Sequence, residues 1–163
     1  MTAKNRRDPM RRSWKLHEWP ERDQVSWAAA IQKGYILDGE GPAAHWANRT
    51  KETNIQHYGR WIGWHGWCVT LDHDADPADR VTPDVVSDYF DHLHDVVGVA
   101  PKTFLGMLVG LKVTIAAMNP DRSWRWLQDQ CNLVQRWALP SRDKRLLVRS
   151  SDEIYNAAIG ELR

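Results

Sequence analysis

Lys102 and Thr103 are the residues whose placement most invites chemistry. They follow Pro101 at the head of a long apolar run, so they are expected in the first turn of a helix. Backbone N–H groups in that turn have no intrahelical acceptor, and the helix dipole adds positive potential. An ammonium and a hydroxyl placed there suit an anion. A second donor-rich helix start is written into Thr50-Lys51-Glu52-Thr53-Asn54, with His57 and Arg60 further along the same helix.

Other clusters fail on inspection. Asp72-His73-Asp74-Ala75-Asp76 has the oxygen ligands of a calcium loop, but Pro77 stands where the glycine turn is needed and Pro83 where the bidentate Glu is needed. Asp88, Asp91, His92 and Asp95 read as a solvated acidic helix face rather than a metal site. Tyr155 has no His or Arg constellation near it in sequence, so it is not read as a nucleophile. Cys68 and Cys131, the only cysteines, read as buried free thiols of a reducing compartment. No metal, cofactor or small-molecule substrate is expected.

The elements that must position these groups are all helical. An extended, half-buried segment at Trp14, Leu16 and Trp19-Pro20 precedes a short helix over 24–33, with Asp23 as its expected N-cap and Gly34 as its stop. After a Gly/Pro-rich loop at 37–42, a helix is predicted over 50–68. Ile55, Tyr58 and Ile62 form its apolar face, and Gly59, Gly63 and Gly66 form a stripe where another backbone must approach closely. Residues 71–79 are predicted to be an acidic loop. Thr82-Pro83-Asp84 then starts a helix whose Val86, Tyr89, Phe90, Leu93, Val96 and Val97 share a face, with Gly98 as its end.

The helix over 101–118 carries Phe104, Leu105, Leu108, Leu111, Ile115 and Met118 on one side and is expected to be the most buried, with Gly106 and Gly110 allowing close approach. Asn119-Pro120 stops it. A helix over 123–138 follows, with Trp124, Leu127, Cys131, Val134 and Ala138 as its core stripe. A last helix opens at the capping box Ser150 to Glu153 and carries Ile154, Ala158 and Leu162. The fold class is therefore all-α: a compact bundle of about five helices with a trailing C-terminal helix. The domains are a basic arm (1–13), a helical domain (14–140), and a basic linker with the start of a further domain (141–163).

The chain has 163 residues and ten tryptophans, which are read as packing groups rather than base-stacking platforms. Its net charge is only +1, yet 71–100 hold eight acidic residues against Arg80 alone, while basic residues outnumber acidic ones on both sides. One positive and one negative face can follow, compatible with a polyanionic partner. The apolar run 104–118 is broken by Lys112 and is shorter than the ~20 residues of a membrane helix. No targeting segment is visible. The expectation is a soluble, cytoplasmic protein.

With this layout in view, the chain resembles the N-terminal core-binding domain (SAM-like) of tyrosine recombinases, the phage-integrase family. The resemblance is carried by Thr50-Lys51-Glu52-Thr53, Tyr58-Gly59-Arg60-Trp61-Ile62-Gly63-Trp64, Arg80-Val81-Thr82-Pro83-Asp84-Val85 with Tyr89 and Leu93, Pro101-Lys102-Thr103, and the Asn119-Pro120 break. Leu37-Asp38-Gly39-Glu40-Gly41-Pro42-Ala43-Ala44 and Arg142-Asp143-Lys144-Arg145 add to it, so it spans about residues 14–163.

The resemblance implies a helical domain on one side of duplex DNA, clamped by a separate catalytic domain, acting in DNA integration and recombination. It implies DNA contacts from Thr50, Lys51, Thr53, His57 and Arg60 on one helix and Lys102 and Thr103 on another. It implies neighbouring recombinase protomers in a synaptic complex as partners. The strand-transfer chemistry, a tyrosine attack on the scissile phosphate, would lie in the catalytic domain, of which 141–163 resemble only the start. This chain is expected to bind DNA and not to cleave it. The alternative is a helical protein-interaction module with no nucleic-acid role.

Overall fold

The computed structural model describes residues 12–35, 37–68 and 71–138; the side chains of Trp67 and Cys68, the final helix expected after Ser150, and Tyr155 lie outside that description. Among the described residues every regular element is helical, so the fold is an all-α bundle. A 3-10 turn, Leu16–Glu18, leads into α1 (Glu21–Ile31) and α2 (Asn48–Cys68). Then come the one-turn α3 (Pro77–Arg80), α4 (Pro83–Asp91), which winds on through a wide π turn at His92–Val96, α5 (Pro101–Met118) and α6 (Arg125–Trp137).

The axis of the bundle is α5, which packs on α1, α2, α3 and α6. Its Phe104, Leu108, Leu111, Ile115 and Met118 are buried, and so are Met107 and Thr114 on the flanks, so a wide arc of this helix is core. The Thr114 hydroxyl avoids an unsatisfied burial by donating to Gly110 O at 2.8 Å. The expected limits of this helix hold at both ends, because Pro101 takes the first position and Asn119-Pro120 cannot continue it. The start of α4 also follows its sequence signal: the Thr82 hydroxyl accepts from the Val85 N–H at 3.4 Å, with Pro83 behind it. Gly98, at φ +65°, ends that segment in the left-handed region that glycine enters without strain, and the Val99 N–H reaches back to Leu93 O at 2.9 Å.

Three expectations change. First, α1 starts a turn earlier than predicted, at Glu21, and Asp23 is not its cap. Asp23 is fully buried, and its carboxylate accepts from Tyr58 Oη at 2.6 Å and from Arg80 Nη1 at 2.8 and 2.7 Å. Arg80 is itself 5% exposed and donates to the carbonyls of Asp72 and Ala75 at 3.1 and 2.9 Å. A charge withdrawn from water needs such saturation. Second, α1 ends at Ile31, before Gly34, because the returning loop supplies the N–H groups of Gly41 and Ala43 to Gln32 O and Ala30 O. Third, the acidic stretch contains the short α3, capped by the Asp76 carboxylate, which accepts from the Ala78 N–H at 2.8 Å.

The glycine stripe of α2 does meet a backbone, but that of the entering chain rather than of a helix. A Cβ at Gly59 would lie 2.1 Å from Trp14 O, and one at Gly63 2.7 Å from Arg12 O. Trp61 and Trp64 lie in the core, with ring centroids 5.2 and 4.8 Å from Tyr89, so these tryptophans are packing groups. Cys131 is a buried free thiol, and burial raises its pKa.

Candidate nucleic-acid interface

The first turn of α5 has no side-chain cap. Its N-cap is Ala100, Pro101 has no N–H, and the ladder begins with the Phe104 N–H on Ala100 O at 3.0 Å. The N–H groups of Lys102 and Thr103 are thus left without an intrahelical acceptor, and both residues are exposed. Phe104 fixes the direction of this turn: it is buried, edge-on to Phe90 with centroids 4.6 Å apart. With Phe104 held inside, the two preceding side chains project outward.

The start of α2 is similarly polar. Asn48, Arg49, Thr50, Glu52 and Thr53 are exposed, and Ala47, Arg49, Thr50, Thr53 and Asn54 line a shallow depression of about 380 Å³. The Thr53 hydroxyl donates back to Arg49 O at 2.9 Å. Lys51 is half-buried, and its ammonium donates to Ala44 O at 3.2 Å, tying the preceding loop to the helix. Arg49 is the cation of this helix start that faces solvent, and the resemblance did not point to it. The signal that could have found it is its helical position: Arg49 stands four residues before Thr53 and so shares its face.

His57 and Arg60 turn toward the protein. The His57 ring fills the space at Gly110 on α5, where an added Cβ would meet its Cγ at 2.6 Å. Burial, and then the nearby Arg60 charge, lower the His57 pKa, which favours the neutral ring. Arg60 is half-buried with a buried Nε, and its charge opposes the rise that burial imposes on the Tyr89 hydroxyl of α4.

The predicted residues therefore divide. Thr50, Thr53, Lys102 and Thr103 are presented to solvent. Lys51 and His57 are engaged by the fold, and Arg60 is half-buried with no hydrogen bond from its buried Nε among the described residues. The His57–Gly110 contact sets the relation between the two helix starts. Thr50 precedes His57, and Thr103 precedes Gly110, by the same two turns. Each start thus lies ~10 Å along its helix from the crossing. With ~10 Å between packed helix axes, Thr50 and Thr103 are within roughly 30 Å of each other. Between Thr103 and the crossing, Gly106 has nothing within 4 Å of an added Cβ, so that face of α5 is open.

The acidic side chains serve local structure. Asp72 accepts from the Asp74 N–H at 2.9 Å, and Asp76 from Asn119 Nδ2 at 3.1 Å in addition to its capping bond. Asp88, Asp91 and Asp95 are exposed, while His92 is buried. Among the described residues no group of three His, Cys, Asp or Glu is placed to hold a metal ion. Comparison with known protein families, with curated proteins and with solved structures finds no match to this chain.

Proposed function

We propose that this chain binds double-stranded DNA as the core-binding domain of a tyrosine recombinase, through the starts of α2 and α5. The observation that supports this most is the pair of outward-facing, donor-rich helix starts coupled through the His57–Gly110 crossing. A span of up to roughly 30 Å fits within one turn of duplex, about 34–36 Å. Lys102, Thr103 and Arg49 then meet phosphates, with Thr50 and Thr53 hydroxyls beside them. Lys51 and His57 hold the helices in position. In this role the domain grips DNA with neighbouring protomers and contributes no cleavage chemistry; the attacking tyrosine belongs to a separate catalytic domain.

A gel-shift titration on a duplex at 50, 100 and 200 mM salt tests the reading. Duplex binding that weakens steeply with salt is expected. No duplex binding at 50 mM sinks it. The second reading, a protein-interaction module, is favoured by one observation: Leu133 and Trp137 on α6 are 52% and 45% exposed, and Trp137 packs edge-on to the half-buried Phe90 at 5.8 Å. That reading requires indifference to DNA, so the same titration separates the two.

A further inference from the structure

A cleft of about 360 Å³ opens between α4 and α6, with α5 as its floor. Val86 and Phe90 form one wall, Val134 forms the other, and Phe104 and Leu108 lie beneath. Pro83, Ser87 and Phe90 recur at helical spacing on α4, as do Gln130, Val134 and Trp137 on α6, so each helix turns one stripe toward the cleft. The apolar surface continues past Phe90. Its ring stacks on that of His94 at 5.6 Å and meets Trp137 edge-on at 5.8 Å, while His94 and Trp137 lie 5.6 Å apart. His94 and Trp137 are exposed, and so is Leu133 one turn before Trp137. From Gln130 to Trp137 the lined stretch is about 10 Å long. Exposed apolar groups joined to a cleft in this way mark a contact site, unlike single residues scattered over a surface.

The α4 bank of the cleft is acidic. Residues 83–96 hold Asp84, Asp88, Asp91 and Asp95 and no Lys or Arg. All four are exposed. Asp84 lines the cleft, and Asp88 and Asp91 stand one turn beyond Asp84 and Ser87. Among the described residues only Asp95 of these four has an ionic partner, His94 Nδ1 at 2.7 Å. Such a border repels a polyanion and attracts cations.

We infer that the α4–α6 cleft docks an amphipathic helix with a basic flank, supplied by a protein partner. A lined stretch of two turns accepts apolar anchors at i, i+3 or i+4, and i+7, as in helix-in-groove recognition. Lys or Arg beside those anchors meets Asp84, Asp88 and Asp91. The buried anchors carry most of the affinity, and the exposed charges steer and select. The inference goes beyond the DNA-binding reading and does not depend on it.

The probe is a labelled model peptide of about five helical turns, roughly 18 residues, with Leu at i, i+4 and i+7 spacing and Lys elsewhere. One control keeps the Leu positions and replaces Lys by Glu. The other keeps the composition and scatters Leu around the helix. Fluorescence anisotropy at 50 and 200 mM salt follows binding to the full chain and to three variants at exposed positions: Ser87→Phe, which fills the cleft, Leu133→Ser on the α6 bank, and Asp88→Asn with Asp91→Asn. Thermal melts accompany each variant; if Ser87→Phe melts low, Leu133→Ser carries the apolar arm. The basic amphipathic peptide is expected to bind the parent and both controls to bind at least roughly ten-fold more weakly. Ser87→Phe is expected to lose about ten-fold in affinity and Leu133→Ser several-fold. The paired Asn variant is expected to lose about three-fold at 50 mM salt and less at 200 mM. No binding of the basic peptide at 50 mM, equal binding of all three peptides, or parental affinity in both Ser87→Phe and Leu133→Ser overturns the inference. So does sedimentation of the parent as a dimer and of Ser87→Phe as a monomer, which would place a second copy of the chain in the cleft.

Discussion

From Asn48 to Thr53 nearly every residue of α2 meets solvent, whereas from Tyr58 to His65 every residue except the half-buried Arg60 is buried. The buried half is held on three sides: by the entering strap over Gly59 and Gly63, by Asp23 and Arg80 at Tyr58, and by Tyr89 against Trp61 and Trp64. The exposed half has one such anchor, the Lys51 ammonium on Ala44 O. A helix immobilised over its C-terminal half projects its N-terminal donors in a fixed direction without packing around them. A similar division runs through α5, with Lys102, Thr103 and Gly106 open and Leu108, Leu111, Thr114 and Ile115 enclosed. Packing and exposed donor groups thus fall on different turns of the same helices.

The largest break in this comparison comes from the buried ion pair. Arg80→Ala leaves Asp23 charged and buried beside Tyr58, and is expected to destabilise the fold by about 3–5 kcal/mol. Urea unfolding followed by circular dichroism checks this; a loss under 1 kcal/mol would show that the pair is not what holds α1, α2 and α3 together.

Next come the glycines, which separate the two kinds of turn by sign. Gly59→Ala places a methyl 2.1 Å from Trp14 O, a backbone atom, and is expected to be destabilising by about 2–3 kcal/mol. Gly106→Ala meets nothing within 4 Å and is expected to stabilise the fold by about 0.5–1 kcal/mol. Thermal melts of the two variants should move in opposite directions. Equal losses would mean that the start of α5 is not open.

A smaller effect is expected at the recognition end. Lys102→Ala should leave the melting temperature unchanged, weaken duplex binding by roughly five-fold at low salt, about 1 kcal/mol, and reduce the salt slope by about 1. Unchanged DNA affinity would detach α5 from the interface.

The smallest is a pH effect at the crossing. Burial holds the pKa of His57 below its usual value, and burial followed by Arg80 does the same for His65. Both histidines take up a proton more readily in the unfolded chain. Stability is therefore complete above the unfolded value near 6.5, and declines as pH falls below it toward the folded values. The melting temperature is expected to drop modestly between pH 7.5 and 5.5, and by less in His57→Gln.

Much of the helical layout was legible because its signals are local. Thr82-Pro83 starts α4, Pro101 and Asn119-Pro120 bound α5, and Gly98 ends a helix; each acts through residues one turn away. The glycine stripe announced a close backbone without saying which, since the partner segment lies more than forty positions earlier in the chain. Asp23 was misread as a cap, because its real partners, Tyr58 and Arg80, lie 35 and 57 residues away. The candidate site shows the same limit. Lys51, His57 and Arg60 share a helix with Thr50 and Thr53, and residue type alone does not reveal which of them the fold engages.

Periodicity, proline and glycine determined by themselves that this chain forms helices, where most of them begin and end, and which faces are apolar, since those are properties of one or two turns of backbone. Tertiary structure alone decided that a buried Asp–Arg–Tyr cluster joins three helices, that the strap runs toward the far end of α2, and that His57 seats on Gly110. Each of these depends on distant segments meeting, and on the need of buried charge and buried N–H groups for partners wherever the fold supplies them.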